Sequence, residues 1–178
     1  MADITGITDF YRVATERDFS RDFQFRVLNI NAGDLSNVSI GPDDLIYAQG
    51  GAMPGRQIAN NDVPFMGLNF KVPGAAQYGG EYSVTFYSDR EDKLRQLFLE
   101  WSHDVFDDAT STGMYMTPGR QSQIDLVQLD TQLSSIAQYS LHGCYPISVG
   151  DISYNIQGTG APVTFDVTLA YHFWRKTG

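Results

Sequence analysis

The chain has 178 residues, the size of one ordinary domain with enough length to bury a substantial core, and its formal charge is −9, from 21 acidic against 12 basic residues. A nucleic-acid binder holds phosphate with clustered lysine and arginine, so basic residues this scattered and outnumbered argue against stable binding of DNA or RNA. No run of about 18 apolar residues occurs, which excludes a membrane-spanning helix on length.

The single cysteine, Cys144, can form no internal disulfide, and Met1-Ala2-Asp3-Ile4 lacks the basic and apolar regions of a signal peptide. The expectation is a chain made in a reducing cytoplasm. Abundant aromatic and β-branched residues, punctuated by 17 glycines and 7 prolines, predict a mainly β fold over residues 1–178.

Residues 1–22 read as an amino-terminal arm, within which Thr8 to Asp22 is either a short helix or part of the arm. Phe23 to Ile30 follows as the first strand, with Phe23, Phe25 and Val27 on one face and Gln24 and Arg26 on the other. Residues 31–80 are rich in glycine and proline, and only Leu45 to Ala48 and Leu68 to Val72 look strand-like within them. So long a connection is unusual in a compact domain, and Met53, Ile58, Val63, Phe65, Met66 and Phe70 argue against disorder. The segment is expected to be a long loop ordered by contact with another molecule.

Glu81 to Ser88 alternates cleanly, with Tyr82, Val84 and Phe86 against Ser83, Thr85 and Tyr87. The period then becomes helical. Ser88-Asp89-Arg90-Glu91 fits a capping box, and Leu94, Leu97, Phe98, Trp101 and Val105 form one apolar stripe, predicting a helix over 88–106. Acids at its carboxyl-terminal end oppose the helix dipole and call for another reason. Asp108 to Gln123 reads as a polar loop turned at Pro118-Gly119, followed by strands at Ile124 to Leu129 and Ser134 to Leu141. The last strand is predicted to run from Val163 to Phe173, because Val163, Phe165, Val167, Leu169, Tyr171 and Phe173 take every second position.

Little of this carries chemistry. His103, His142 and His172 are widely separated and match no metal-ligand spacing, and the acids Asp104, Asp107 and Asp108 lack the glycine and final glutamate of a calcium loop. Gly158-Thr159-Gly160-Ala161 leads into a strand rather than a helix, so it offers no phosphate cradle. Asn37-Val38-Ser39 matches a glycosylation sequon that has no use without secretion. No cofactor, metal or catalytic group is expected. For an enzyme or small-ligand binder the best pocket candidate is the group Tyr139, His142, Cys144 and Tyr145.

Several segments together resemble the tail tube protein family of contractile-tailed bacteriophages. They are Phe23-Gln24-Phe25-Arg26-Val27; Met53-Pro54-Gly55-Arg56 leading to Tyr82-Ser83-Val84-Thr85-Phe86; Leu97-Phe98-Leu99-Glu100-Trp101; Tyr145-Pro146-Ile147-Ser148-Val149-Gly150-Asp151; and Phe165-Asp166-Val167-Thr168-Leu169-Ala170-Tyr171. The resemblance implies an antiparallel β-sandwich or partial barrel with one amphipathic helix outside, its strands completing a large barrel in stacked six-membered rings. It implies a structural virion protein whose bore passes DNA without holding it. The implied partners are further copies of itself, a contractile sheath, and baseplate and tail-terminator proteins, with assembly in the host cytoplasm. A baseplate tube initiator, or the inner tube of a bacterial contractile injection or secretion system, would share the architecture.

Three surfaces are expected to do the work. Ser83, Thr85, Asp166 and Thr168 line the bore; Met53, Arg56, Phe65 and Met66 make contacts between subunits or rings; Glu100, Asp104 and Asp107 face the sheath.

Overall fold

A computed structural model describes residues 6–33, 38–113 and 122–178. The sequon at Asn37 and the Pro118-Gly119 turn lie outside the described residues. In chain order the elements are α1 (Ile7–Arg17), β1 (Phe25–Asn31), β2 (Ser39–Ile40), α2 (Pro42–Leu45), β3 (Ala48–Gly51), β4 (Arg56–Phe65), β5 (Leu68–Tyr78) and β6 (Glu81–Tyr87). They continue with α3 (Lys93–Val105), β7 (Phe106–Asp107), β8 (Thr112–Gly113), β9 (Gln123–Leu129), β10 (Ser135–His142), β11 (Tyr145–Val149), β12 (Thr164–Ala170) and β13 (Phe173–Lys176).

Two antiparallel sheets share one core. The first has the order β13-β10-β9-β1-β2, the second β11-β12-β6-β3. Val27, Ile30, Ile124, Leu126 and Leu141 from the first meet Tyr82, Val84, Phe86, Phe165, Val167 and Leu169 from the second in a single apolar cluster. The helix α3 adds Leu94, Phe98 and Trp101, all buried, with the Phe98 ring 5.3 Å from Phe86 and 6.4 Å from Trp101. The stripe that predicted the helix is therefore the face it buries.

The ends of α3 differ from the expected capping box. The helix starts at Lys93, and Asp92 precedes it with φ 54°, in the left-handed region. The Ser88 hydroxyl donates to the Asp89 carbonyl (3.3 Å) and the Asp92 carboxylate (3.4 Å) instead of accepting a helix amide. Residues 88–92 are thus a turn before the helix. Past the other end, Asp107 accepts from the Ala109 amide (2.9 Å) and the Thr110 hydroxyl (2.7 Å), which gives that acid a local role in the β7–β8 turn.

The final strand is not continuous. The Tyr171 amide donates to the Gly80 carbonyl at 2.9 Å, and the next amide, of His172, donates to His142 of β10 at 2.9 Å. The alternating run therefore crosses from one sheet to the other, as β12 and then β13, and alternation alone cannot reveal such a corner. Gly143 makes the crossing possible: at φ 72° it lies so close to the His172 ring that a Cβ would fall 2.1 Å from Cδ2.

At the amino-terminal side, β1 begins at Phe25 and carries a bulge between Val27 and Asn29, so Val27 and Ile30 are its buried residues. Phe23 lies before the strand and is exposed, while Gln24, expected on the polar face, is buried. Its carboxamide oxygen accepts the Arg21 amide (2.6 Å) and the Ser20 hydroxyl (3.2 Å), which offsets the cost of burial.

The largest departure concerns the expected loop 31–80. It contains α2, β3 and a long hairpin of β4 and β5, paired from Arg56↔Tyr78 to Phe65↔Leu68. Leu45 belongs to the helical turn α2 rather than to a strand. Prolines 64 and 73 hid the hairpin. Both lie inside its strands, which a two-stranded ribbon tolerates because each strand is also an edge.

Cys144 is fully buried, its thiol donating to the Leu141 carbonyl at 3.5 Å, and burial pushes its pKa up to about 12. We expect it to resist aromatic disulfide reagents at pH 8 in the folded protein and to react once the chain is unfolded. The raised value also fixes a sign. An unfolded thiol loses its proton near its ordinary 9.0 and the folded one near 12, so the contribution is complete below pH 9 and is lost as pH rises towards 12. Thermal midpoints measured from pH 8 to 11 should fall; a flat profile would contradict this.

Candidate functional site

The four residues expected in the bore come together on one surface. β6 and β12 pair so that Thr85 stands opposite Asp166 and Ser83 opposite Thr168. The Thr85 hydroxyl donates to Asp166 Oδ1 at 2.6 Å, and the Ser83 and Thr168 hydroxyls lie 3.1 Å apart. Alternation places these side chains opposite Val84, Phe86, Phe165, Val167 and Leu169, which are buried, so they stand on the open face of the sheet. Glu81 opposite Ala170, and Ser148 opposite Thr168, extend the same face. Neither was singled out in the sequence, because cross-strand register is needed to place them.

Charge separates the two sheets. The strands β3 (Ala-Gln-Gly-Gly), β6 (Glu-Tyr-Ser-Val-Thr-Phe-Tyr), β11 (Tyr-Pro-Ile-Ser-Val) and β12 (Thr-Phe-Asp-Val-Thr-Leu-Ala) contain no lysine or arginine, and their charged residues are Glu81 and Asp166. The other sheet carries Arg26, Arg175 and Lys176, all exposed. The acid-only sheet ends in two edge strands, β3 and β11. Edges of this kind are templates for pairing with another chain.

The hairpin is the second surface. Cross-strand pairs Val63↔Phe70 and Phe65↔Leu68, with Val72 opposite Asn61, put five apolar side chains on one face. Asp62↔Lys71 and Pro64↔Asn69 occupy the other. All five apolar residues are 45% to 64% exposed, on a ribbon of a kind that is marginal in water alone. Its base is pinned to the body by the Trp174 indole, which donates to the Gly55 carbonyl at 2.9 Å and meets Tyr78 edge-on at 6.3 Å. Phe65 and Met66 lie at the far tip and Arg56 at the base, whereas Met53 is half-buried against the core. The expected contact group is thus divided between the hairpin's tip, its base and the segment that precedes it. Val63, Leu68, Phe70 and Val72 complete the hairpin's apolar face, and alternation about Met66-Gly67 is the signal that would have found them.

That two-residue turn holds Met66 at φ 47° and Gly67 at φ 81°. Both signs suit a tight hairpin, but methionine has no intrinsic fit to the left-handed region, where a side chain costs about 1–2 kcal/mol. Met66 is 89% exposed, so nothing within the subunit repays the strain. Met66→Asn is expected to raise amide-exchange protection in the hairpin about fivefold, the equivalent of about 1 kcal/mol. Unchanged or weaker protection would show that the methionine is at ease there.

The third surface is the outer side of α3 and the turn after it. Glu100 and Asp104 are exposed on the helix and Asp107 follows in β7. The Thr110 hydroxyl, then the Ala109 amide, hold the Asp107 carboxyl below the usual carboxylate range, so it is ionised at neutral pH.

The groups weighed for chemistry serve packing. Tyr139 meets Trp174 edge-on at 5.6 Å, His142 lies against Phe173 at 5.0 Å, and Cys144 is sealed in the core. Gly158 to Ala161 is an exposed stretch between β11 and β12. Among the described residues no group of three or more His, Cys, Asp or Glu could hold a metal ion, and no helix is long and apolar enough to cross a membrane.

Several known proteins are similar to this chain. It is 23% identical over 173 residues to "Tail tube protein gp19" of Enterobacteria phage T4, covering 94% of this chain and 98% of that protein. It is 22% identical to the protein of the same name from Enterobacteria phage T6 over the same shares. In fold it is similar to the tube-terminating cap of the anti-feeding prophage, with TM-score 0.62, 12% identity, and 90% and 92% of the two chains covered. It is also similar to a chain of the PVC sheath-tube complex, from an extracellular contractile injection system in its extended state, with TM-score 0.57, 11% identity, and 98% and 99% covered. A family described as "Phage tail tube protein" matches residues 23–177. With the match spanning both sheets, the hairpin and α3, the chain belongs to the phage tail tube protein family, whose role is structural.

Proposed function

We propose that copies of this chain join edge to edge through β3 and β11, so that each contributes one four-stranded segment to a closed barrel of six subunits. The open face bearing Ser83, Thr85, Asp166 and Thr168 lines the bore. The observation that carries this reading is the charge division between the sheets: the strands with the hydroxyl-rich face have no lysine or arginine, while the other sheet has three basic residues. A wall of hydroxyls and carboxylates repels a polyanion and lets DNA pass without sticking.

Rings stack through the hairpin, with Phe65 and Met66 at its tip, Arg56 at its base and Met53 in the segment that precedes it as contact groups. A contact between unlike surfaces that does not close generates a filament. Outside the tube, Glu100, Asp104 and Asp107 meet a basic strip on a contractile sheath. Baseplate and terminator proteins engage its two ends. The subunit assembles in the host cytoplasm, becomes part of the virion tail, and catalyses nothing.

Electron microscopy of the concentrated, purified protein tests this reading. Hollow rods of constant bore are expected; protein that stays monomeric at every concentration would overturn it. Reversing Glu100, Asp104 and Asp107 to lysine is expected to leave such rods intact and to abolish their coating by sheath. Normal coating would remove the sheath contact from the proposal.

A further inference from the structure

The helix α1 is 11 residues long and buries none of them. Ile7, Phe10 and Tyr11 are 85%, 61% and 73% exposed, and with Ala14 they follow the i, i+3, i+4, i+7 spacing of a single apolar face. A helix this short is marginal in water without a surface to pack on.

Elsewhere on the chain a groove of about 600 Å³ lies between β1 and β3, with Asp22, Arg26 and Gln49 among the polar residues that line it. Phe23, Phe25, Leu28, Leu45, Ile46 and Ala48 are among its lining residues. Three of them, Phe23, Leu28 and Ile46, are 69%, 44% and 78% exposed. The subunit therefore has both a helix whose apolar face, among the described residues, meets only Phe19, 6.2 Å from Phe10, and an open slot with exposed apolar residues along it.

The chain's own α1 contributes no residue to the lining of this groove. The Phe19 amide donates to Asp18 Oδ1 at 2.7 Å, and the buried Gln24 carboxamide receives the Arg21 amide and the Ser20 hydroxyl. These bonds fold the link between α1 and β1 into a turn.

Resting on the tube reading above, we infer that α1 of one subunit seats its apolar face in the β1–β3 groove of a neighbouring copy. Charge suits the pairing. Residues 6–22 hold three arginines and four acids, a net charge of −1 on a chain of net charge −9, so the arm approaches a second copy with less repulsion than two bodies feel. Arg17 in the last turn of α1 is exposed, as is Asp43 beside Pro42 on the groove rim. Knob and slot are different surfaces of one chain, so the contact is head-to-tail and passes from copy to copy.

Two sets of chains test it, one carrying only Phe10→Cys and the other only Ile46→Cys, with the native Cys144 buried and inert. After mixing, assembly and treatment with a short bifunctional thiol reagent, covalent heterodimers are expected. Chains truncated before Phe19 are expected to need at least tenfold more protein to form tubes, with an unchanged thermal midpoint before assembly. Tubes that form normally without heterodimers would overturn this inference alone. A doubly substituted chain that links only to itself would do the same, since α1 would then cover its own groove. Wild-type chains that never assemble would instead strike at the tube reading itself.

Discussion

Replacing residues 56–78 by an Asn-Gly link is expected to leave a folded subunit that forms no tubes. Arg56 and Tyr78 stand opposite each other at the hairpin base, so the flanking Gly55 and Gly79 are close enough for a two-residue turn to join them. The excised ribbon supplies no fully buried core residue and only Tyr78 among those packed against the core, so the body should unfold within about 5 °C of the intact protein. Assembly is another matter. Val63, Phe65, Leu68, Phe70 and Val72 are about half exposed, and covering the remainder on a neighbour is worth about 1 kcal/mol each. Together these amount to about 5 kcal/mol per subunit, more than a thousandfold in the concentration needed for polymerisation. Sedimentation of the shortened protein provides the check. Tubes of ordinary length would exclude the hairpin from ring stacking.

Lysines at Thr85 and Thr168 are expected to leave tube shape unchanged and to obstruct the passage of DNA. Both positions are on the open face, where the exchange removes only the Thr85–Asp166 and Ser83–Thr168 hydrogen bonds. Exposed bonds of this sort contribute about 1 kcal/mol or less, too little to unfold the subunit. The electrostatic change is much larger, because in the proposed bore every subunit would gain two cations facing phosphate. Binding of this kind releases counterions and weakens steeply with salt. Genome release from particles built with the doubly substituted subunit should fall at least about tenfold at low ionic strength and recover as salt is added. Release at the ordinary rate and without salt dependence would place these residues away from the DNA.

Where one physical signal decided a structure, the sequence could be read. The alternation of Tyr82, Val84 and Phe86, and of Phe165, Val167 and Leu169, identified two strands and the faces they bury. The stripe from Leu94 to Trp101 identified α3 in the same way. Failures arose where tertiary contacts overrode a local pattern. Alternation runs unbroken through Tyr171 and His172 although the hydrogen bonds change sheets there, because period-2 burial is the same on either side of a corner. A capping-box spelling at Ser88 to Glu91 lost to a turn in which Asp92 takes the left-handed conformation. The hairpin was hidden because its amphipathic face covers nothing within the subunit and its prolines argue against a central strand.

The candidate surfaces were legible to a similar degree. Ser83, Thr85, Asp166 and Thr168 could be grouped from alternation, but their pairing as neighbours required the register of β6 against β12. Phe65 and Met66 were recognisable as apolar residues in need of a partner, while Met53, chosen for the same reason, is half-buried by its own subunit. The contrast between an acid-only sheet and one carrying arginine and lysine appears only once strands distant in sequence are assigned to sheets.

A density reconstruction of a tube assembled from this chain tests the central claim most directly, since it fixes which sheet faces the axis. The account predicts β3, β6, β12 and β11 around the bore, with Ser83, Thr85, Asp166 and Thr168 pointing inward and β3 of each subunit paired to β11 of the next. A bore lined instead by Arg26, Arg175 and Lys176 of the other sheet would contradict it.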